Sequence, residues 1–219
     1  RCLFLRKKMK VTIIYDNSSC RNDLKADWGF SALVEAHGRR ILFDTGASGS
    51  ILLSNMGKLQ IDPDSISDVF ISHPDFDHIG GLSAFLDRNR SVTVWIPQSF
   101  HGVKNAEKII KIAGPGKMHD GLYTTGEMEE IEQSLCVETQ KGIVIIAGCS
   151  HPRLEYIIES ASQYGTVYGI IGGLHGNRPE SLKALQLICA THCTIHKQDI
   201  DRLYPGKTVA GGAGKIIEV

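Results

Sequence analysis

Short runs rich in β-branched residues recur along almost the whole chain, and each run is bounded by Gly, Asp, Asn or Pro. This punctuation is typical of β-strands, because these residues favour the turns at which strands end. The predicted strands cover residues 10–16, 30–36, 40–44, 68–72, 92–97, 121–125, 131–139, 142–148, 165–173 and 207–219. A chain with so many strands must pair them in sheets and bury at least one face of each sheet.

Between some of these runs, apolar residues recur at spacings of three and four, which predicts amphipathic helices. The helical patterns cover residues 48–59, 79–89, 99–113, 151–164 and 178–190. The first half of the chain is richer in strands of mixed polarity, whereas the second half alternates strand and helix. We therefore expect an α/β fold, namely an αββα sandwich of two mixed β-sheets flanked by helices. A three-layer α/β domain is the alternative that the pattern leaves open.

Chain length and composition are those of one globular domain. The 219 residues, 42% of them hydrophobic, can fill a well-packed core, and no Pro/Ser-rich linker or repeat of solenoid length divides them. We expect a single domain over residues 1–219. Because the first methionine is Met9, we interpret residues 1–8 as an N-terminal extension of that domain.

The charge balance bears on the partners of the protein. Twenty-four basic residues offset twenty-four acidic ones, so we expect a small-molecule substrate and neither a nucleic-acid nor a membrane partner. The apolar residues near the N-terminus are too few for a signal peptide or a membrane span, and the six cysteines include no C-x-x-C pair. We expect a cytoplasmic protein with reduced thiols. The sequence does not fix its oligomeric state.

The stretch "SHPDFDHIGGL", residues 72–82, carries the densest cluster of chemically active side chains. It follows the predicted strand at 68–72 and contains His73, Asp75, Asp77 and His78. Two neighbouring carboxylates repel each other unless a cation lies between them, and imidazoles and carboxylates are common metal ligands. The loop therefore favours a metal site. The alternative is that one aspartate caps the following helix and the histidines are exposed.

One loop cannot complete a metal site, and further histidines follow other predicted strands or small-residue turns. His151 comes after the apolar run at 142–148, and His175 comes after the run at 165–173. His192 lies beside a predicted helix end, with His196 as the spare ligand. Because functional side chains concentrate in the loops after strands, we expect these histidines to join the cluster.

Several motifs resemble the metallo-β-lactamase superfamily, whose signature is H-x-H-x-D-H in a strand-to-helix loop. They are "FDTG" at 43–46, "ISHPDFDHIGGL" at 71–82, "AGCSHP" at 147–152, "YDN" at 15–17, "GGLHG" at 172–176 and "HCT" at 192–194. Taken together, they are most similar to the branch that contains the 7,8-dihydropterin-6-methyl-4-(β-D-ribofuranosyl)aminobenzene-5′-phosphate synthases. The resemblance runs in the same order from about residue 11 to 194 and implies the metallo-β-lactamase fold.

The resemblance implies two metal sites. His73 and His151, with Asp75 beside them, would hold the first metal. Asp77, His78 and His192 would hold the second. It also implies that Asp44 accepts the ring N–H of a ligand histidine; the alternative is that Asp44 caps the helix predicted near residue 48.

Two positions depart from the superfamily pattern. Asp75 stands where a histidine is usual, and the aspartate that commonly bridges the metals has no clear match, with His175 nearest to its place. We expect one or two divalent ions, with zinc first. Iron and manganese are alternatives, because Asp75 offers a hard oxygen instead of a nitrogen.

The expected function is that of a hydrolase-like, metal-dependent enzyme acting on a small phosphorylated or ester-bearing substrate. Asp77 would orient the attacking hydroxide, and His175 or His119 would give a proton to the leaving group. A synthase-type transferase and a non-catalytic metal-binding or sensor protein are the alternatives. We interpret Cys149 as a packing residue rather than a nucleophile. The glycine-rich stretch 113–128 is interpreted as a mobile surface loop, with phosphate binding through Lys117 as the alternative.

Overall fold

Two β-sheets face each other in the computed structural model, which describes residues 8–219. Apart from Lys8, the N-terminal extension expected at residues 1–8 lies outside the described residues. No helix within the described part of the chain has the length and apolar character needed to cross a membrane.

The strands and helices are short and alternate along the chain. The strands are β1 Met9–Tyr15, β2 Ser31–Ala36, β3 Arg39–Phe43, β4 Asp68–Phe70, β5 Thr93–Pro97, β6 Lys108–Ile112, β7 Gly116–His119, β8 Leu122–Thr124, β9 Leu135–Thr139, β10 Gly142–Ala147, β11 Val167–Gly173, β12 Leu187–Thr191 and β13 Ile216–Glu218. The α-helices are α1 Gly49–Lys58, α2 Phe76–Ile79, α3 Leu82–Arg88, α4 Leu154–Ser162 and α5 Lys197–Leu203. Short 3₁₀ turns lie at Pro63–Ser65 and Pro179–Leu182.

Both sheets are mixed, which confirms the predicted αββα sandwich. The first has the order β13-β1-β2-β3-β4-β5-β6, antiparallel from β13 to β3 and parallel from β3 to β6. The second has the order β12-β11-β10-β9-β8-β7, and its strands β10, β11 and β12 are parallel. The carboxyl ends of parallel strands meet at one edge of a sheet, so the loops after them are brought together.

Three apolar layers hold the sandwich together. Between the sheets, Phe43 stacks on Phe70 with 5.4 Å between the ring centroids, and the layer continues into Ile146 of the second sheet. Helices α1 and α3 cover the outer face of the first sheet, and α4 and α5 cover that of the second. Full burial of each large apolar side chain contributes about 1.5–3 kcal/mol, so these layers hold the two sheets and the helices against one another.

Two predicted helices are wrong. Residues 99–113 form no helix; they end in β6, which pairs in parallel with β5 because alternate isoleucines of "KIIKI" pack on the inter-sheet core. Within 178–190, a 3₁₀ turn at Pro179–Leu182 is followed by β12, all of whose residues are buried. A short apolar run fits a buried strand and a buried helix equally well, and pairing with β11 decides for the strand.

The stretch 113–128 is not a loop. It contains the antiparallel hairpin β7–β8, and His119 in it donates a hydrogen bond through Nε2 to Asp68 Oδ1 at 2.9 Å. Asp68 begins β4, whereas the predicted metal loop follows the end of that strand. His119 is therefore placed beside the start of β4 and not at the loop that follows it, and its role as proton donor stays a prediction. Of the strand predicted at 207–219, only β13, Ile216–Glu218, is a strand in the structure. Helix α5, Lys197–Leu203, was not predicted.

Candidate metal centre

Four histidines from three segments of the chain form one cluster at the carboxyl ends of the parallel strands. His73 follows β4, His78 lies in α2, His151 follows β10 and His192 follows β12. The ring centroids are 4.1 Å apart for His73 and His78, 4.7 Å for His73 and His151, and 5.0 Å for His78 and His192. The structure thus brings together all four histidines that the resemblance assigns as ligands.

Asp44 anchors the two histidines of the metal loop. Its Oδ2 lies 2.7 Å from His78 Nδ1 and accepts the Ser72 hydroxyl at 2.6 Å. The same hydroxyl oxygen lies 2.8 Å from His73 Nδ1. This confirms the geometry expected of Asp44 as the acceptor for a histidine ring, and its carboxylate also accepts the Ser72 backbone N–H at 2.7 Å.

The other two histidines are anchored in the same way by different segments. Glu132 Oε2 lies 3.0 Å from His151 Nδ1. Asn17 Oδ1 lies 3.0 Å from His192 Nδ1, and the backbone N–H of His192 donates to Asp16 at 2.9 Å. The "YDN" motif is therefore the support of His192.

These anchors fix the tautomer of every ring. Each Nδ1 faces an oxygen atom, so in the neutral form of each ring Nδ1 carries the proton and the Nε2 lone pair is left for a metal ion. Among residues 8–219, His73 Nε2 and His192 Nε2 are buried and have no hydrogen-bond partner. An unpaired buried polar atom costs about 1–3 kcal/mol. A divalent cation between the rings would remove that cost, so the residues fit a metal.

The pKa shifts agree with neutral, ligand-competent imidazoles at two positions. Burial lowers the pKa of His73, and burial together with the neighbouring His78 lowers that of His192 to about 4. Burial also lowers the pKa of His78, but the nearby Asp44 carboxylate has the larger effect, so the pKa of His78 is raised. The hydrogen bond with Glu132 raises the pKa of His151.

Each of the two aspartates of the loop lies beside a different pair of histidines. Asp75 Oδ2 lies 3.5 Å from His73 Nε2 and 4.0 Å from His151 Nε2. Asp77 Oδ2 lies 3.3 Å from His192 Nε2 and 3.8 Å from the Nε2 of His78. This is the division into two sites that the resemblance implies. Asp75 occupies the N-cap position of α2 through its backbone, and its side chain makes no capping bond to the described residues. Metal ligation itself stays a prediction.

Glu132 is a residue of the centre that the sequence did not reveal. Its buried carboxylate accepts the backbone N–H groups of Cys149, Ser150 and His151 at 2.8–3.1 Å. Burial raises its pKa, but the hydrogen bond from His151 and the other donors outweigh burial and lower it to about 2. In the sequence it stands among acidic residues that resemble an exposed turn, and no local pattern marks it.

Cys149 lies inside the cluster rather than in an ordinary core position. Its side chain is buried, and its Sγ is 3.2 Å from His78 Nε2. A hydrogen bond with Cys193, burial and the nearby carboxylates raise the pKa of the thiol. Without a cation it is therefore protonated and a poor nucleophile, which agrees with the view that it is not one.

His175, the predicted proton donor, stands at the side of the cluster. It is exposed, and its ring centroid is 5.1 Å from that of His151. His196 begins α5 and lies 3.9 Å from Asp199, so it takes no part in the cluster.

Backbone strain marks the loops of the centre. Asp44, Ser150, His175 and His192 all have positive φ, between 44° and 56°, in the left-handed region that non-glycine residues rarely adopt. Such residues cost roughly 1–3 kcal/mol each and persist where the surroundings hold them for function. Gly80 and Gly81 allow close packing, as expected, because a Cβ at either would collide with the carbonyl groups of Ala47 or Thr45.

One side of the cluster faces solvent. The Asp75 side chain is 61% exposed, its chain neighbour Phe76 is 66% exposed, and Trp28 is 53% exposed. The Trp28 ring lies 5.1 Å from that of His192. Of the four histidines, His151 has the most exposed side chain, at 23%, so solvent reaches the cluster on the side of Asp75 and His151.

Two mixed sheets between helices, with a histidine and carboxylate cluster on the loops at their edge, define an αββα protein with a candidate dinuclear metal centre. The family model of the metallo-β-lactamase superfamily matches residues 29–175, and the chain belongs to this superfamily. Its members typically bind divalent metals and are largely enzymes.

Individual relatives agree with this membership. The chain is 26% identical to the 7,8-dihydropterin-6-methyl-4-(β-D-ribofuranosyl)-aminobenzene-5′-phosphate synthase of Methanocaldococcus jannaschii, over 90% of this chain and 95% of that protein. It is similar to the crystal structure of Tm1679, a metal-dependent hydrolase of the β-lactamase superfamily, at 25% identity and a TM-score of 0.78, covering 96% and 99% of the two chains. YhfI of Bacillus subtilis shares the fold, with 15% identity and a TM-score of 0.72 over 97% and 100% of the chains.

Proposed function

We propose that the protein is a hydrolase-like enzyme that uses two divalent ions on a small phosphorylated or ester-bearing substrate. The observation that carries the proposal is the pair of buried Nε2 atoms of His73 and His192, which have no hydrogen-bond partner among the described residues and lie one in each half of an anchored cluster. When bound, paired ions lower the pKa of a water molecule and polarise a carbonyl or phosphoryl oxygen. Zinc is the first expectation, and iron or manganese the alternatives, because Asp75 adds a hard oxygen.

The side chains have distinct tasks in this proposal. His73, Asp75 and His151 would hold one ion, and Asp77, His78 and His192 the other. Asp77 Oδ2 lies between the two Nε2 atoms of its own site, where it can also accept a hydrogen bond from the attacking water. His175 is exposed beside His151 and would donate the proton to the leaving group.

The substrate would enter at the exposed side of the cluster. Trp28 and Phe76 offer apolar faces there, which suit a small molecule better than a charged polymer. The even balance of 24 basic and 24 acidic residues supports the absence of nucleic-acid and membrane partners. The cytoplasmic location stays a prediction.

A transferase reaction is the second candidate, and the synthase relative favours it. The same residues would assist the departure of pyrophosphate from the 6-methylene carbon of an activated dihydropterin while the amine of a ribofuranosylaminobenzene phosphate attacks that carbon. A non-catalytic metal-binding or sensor protein is less well supported, because the exposed carboxylate of Asp75 leaves the first site open to solvent.

The test combines metal content with turnover. Purified protein loaded with zinc, iron or manganese is assayed by elemental analysis, and its hydrolysis of aryl phosphodiesters, aryl esters and lactones is measured. Release of pyrophosphate from a dihydropterin methyl pyrophosphate, with and without a ribofuranosylaminobenzene phosphate, tests the transferase. We expect His78→Ala to lose at least one ion per chain together with turnover, and the exposed His101→Ala to lose neither. Full metal content in His78→Ala would contradict the assignment of the site.

A further inference from the structure

One sulfur atom is common to both halves of the centre. Cys149 Sγ forms a potential metal-binding triad with His73 and His151, and a second with His78 and His192. In each triad the ligand atoms lie within 4.8 Å of one another. Each triad also contains one of the buried Nε2 atoms that have no partner among the described residues, at His73 and at His192. The sulfur is therefore accompanied by unpaired nitrogens on both sides.

The place between two metal ions needs an anionic ligand, because the ions repel each other. In this chain the segment "GIIGGLHGN" provides no carboxylate for it, and His175 of that segment belongs to neither triad. Asp75 Oδ2 lies within 4.0 Å of the Nε2 atoms of His73 and His151, and Asp77 Oδ2 lies within 3.8 Å of those of His78 and His192, so each carboxylate is beside one histidine pair. Cys149 is thus the acidic group that the geometry puts within reach of both pairs.

The loop around Cys149 is built to hold the sulfur in this place. Its backbone N–H donates to Glu132 Oε1 at 2.8 Å, and a Cβ at Gly173 would lie 3.2 Å from its Cα. Gly148 before it accepts the Gly173 N–H at 3.0 Å. The side chain of Cys149 is buried against His78. The position of Sγ is therefore preorganised.

We propose that Cys149 binds both metal ions as a shared thiolate. The inference rests on the proposed two-metal centre. The thiol proton leaves to solvent as the two sulfur–metal bonds form, and a thiol that coordinates a divalent cation is deprotonated even where its free pKa is high. Because a thiolate is a soft ligand, it favours zinc or iron over manganese and offsets the hard oxygen of Asp75.

Cobalt(II) reports the sulfur directly. Metal-free protein is titrated with cobalt(II) and the near-ultraviolet thiolate-to-cobalt charge-transfer absorption is recorded. We expect the absorption to grow through two equivalents in wild type, to be lost in Cys149→Ser, and to persist in Cys193→Ser. Cys193 is the matched control, because its Sγ contacts the Cys149 carbonyl at 3.7 Å but lies in neither triad.

X-ray absorption at the zinc edge gives a second measurement on wild type alone, so it does not depend on folding of the variants. We expect a sulfur shell at about 2.3 Å from zinc. Two bound ions without a sulfur shell, or a cobalt band that stops growing after one equivalent, would overturn the shared thiolate and leave the two-metal proposal standing. Wild type that binds no metal would overturn both. A band lost in Cys193→Ser and kept in Cys149→Ser would reject Cys149.

Discussion

Replacing Glu132 by glutamine tests how the centre is supported. The two carboxylate oxygens each accept two hydrogen bonds, Oε1 from the N–H groups of Cys149 and Ser150, and Oε2 from the N–H and Nδ1 of His151. A glutamine amide keeps one oxygen but turns an NH₂ group towards two donors. Either orientation therefore loses two charge-assisted hydrogen bonds and places donors against donors.

The expected loss of stability follows from the pKa of this group. Its pKa falls from an ordinary 4.5 to about 2 on folding, and 1.36 kcal/mol per unit makes this worth about 3 kcal/mol. Because the folded-state pKa is depressed, the contribution is fully present above pH 4.5 and is lost as the pH falls towards 2. The loss of two hydrogen bonds to a charged group gives a similar figure, roughly 3–6 kcal/mol before relaxation.

Urea unfolding of the metal-free protein between pH 2 and 7 measures this contribution. We expect Glu132→Gln to be less stable than wild type by about 3 kcal/mol at neutral pH, with the difference closing near the lower pKa. The exposed neighbour Glu130→Gln is the control and should change stability by less than about 0.5 kcal/mol. Equal stability of Glu132→Gln and wild type at neutral pH would refute the reasoning.

Three further predictions concern metal binding and packing. Asp75→His should shift the preference from manganese towards zinc in a competition assay, because nitrogen replaces a hard oxygen; an unchanged preference would mean that Asp75 is not a ligand. Asn17→Ala removes the acceptor of His192 Nδ1 and should weaken metal binding about 10–100-fold by isothermal titration, whereas unchanged affinity would reject that support. Gly148→Ala should lower the free energy of unfolding by about 1–3 kcal/mol, because its Cβ would collide with a serine hydroxyl; Gly57→Ala, in open space, is the control, and equal effects would contradict the close packing.

Much of the fold was readable from local pattern. Strands such as β10 and β11 are continuous apolar runs ended by glycine, because both of their faces are covered, and α1 and α4 show the spacing of amphipathic helices. The sequence pattern gave a wrong prediction where the pairing of strands that are distant in the chain determines the secondary structure. Ile110 in β6 has a helical neighbourhood in the sequence, but its partner Trp95 lies on β5, and local spacing contains no information on such pairing.

The candidate site divides in the same way. His73, Asp75, Asp77 and His78 could be predicted because they are adjacent in one loop and their residue types agree with one chemistry. The position of Cys149 inside the cluster could not be predicted, because it depends on contact with His78 from a distant segment of the chain. The role of Glu132 is harder still to predict from the sequence. It accepts backbone hydrogen bonds from a loop seventeen residues further along the chain, and no motif surrounds it.

The centre lies on the seam between the two sheets, and this couples metal binding to the packing of the sandwich. Asp16 and Asn17, which follow β1 of the first sheet, hold His192, which follows β12 of the second. In the other direction Gln133, next to β9, donates through its backbone to Ser72 O at 2.9 Å and through its side chain to Ile71 O, also at 2.9 Å. Each set of bonds fixes a ligand loop of one sheet against the other sheet. The two proposed sites each combine a histidine that follows a strand of the first sheet with one that follows a strand of the second, so ions bound there would resist sliding of one sheet over the other.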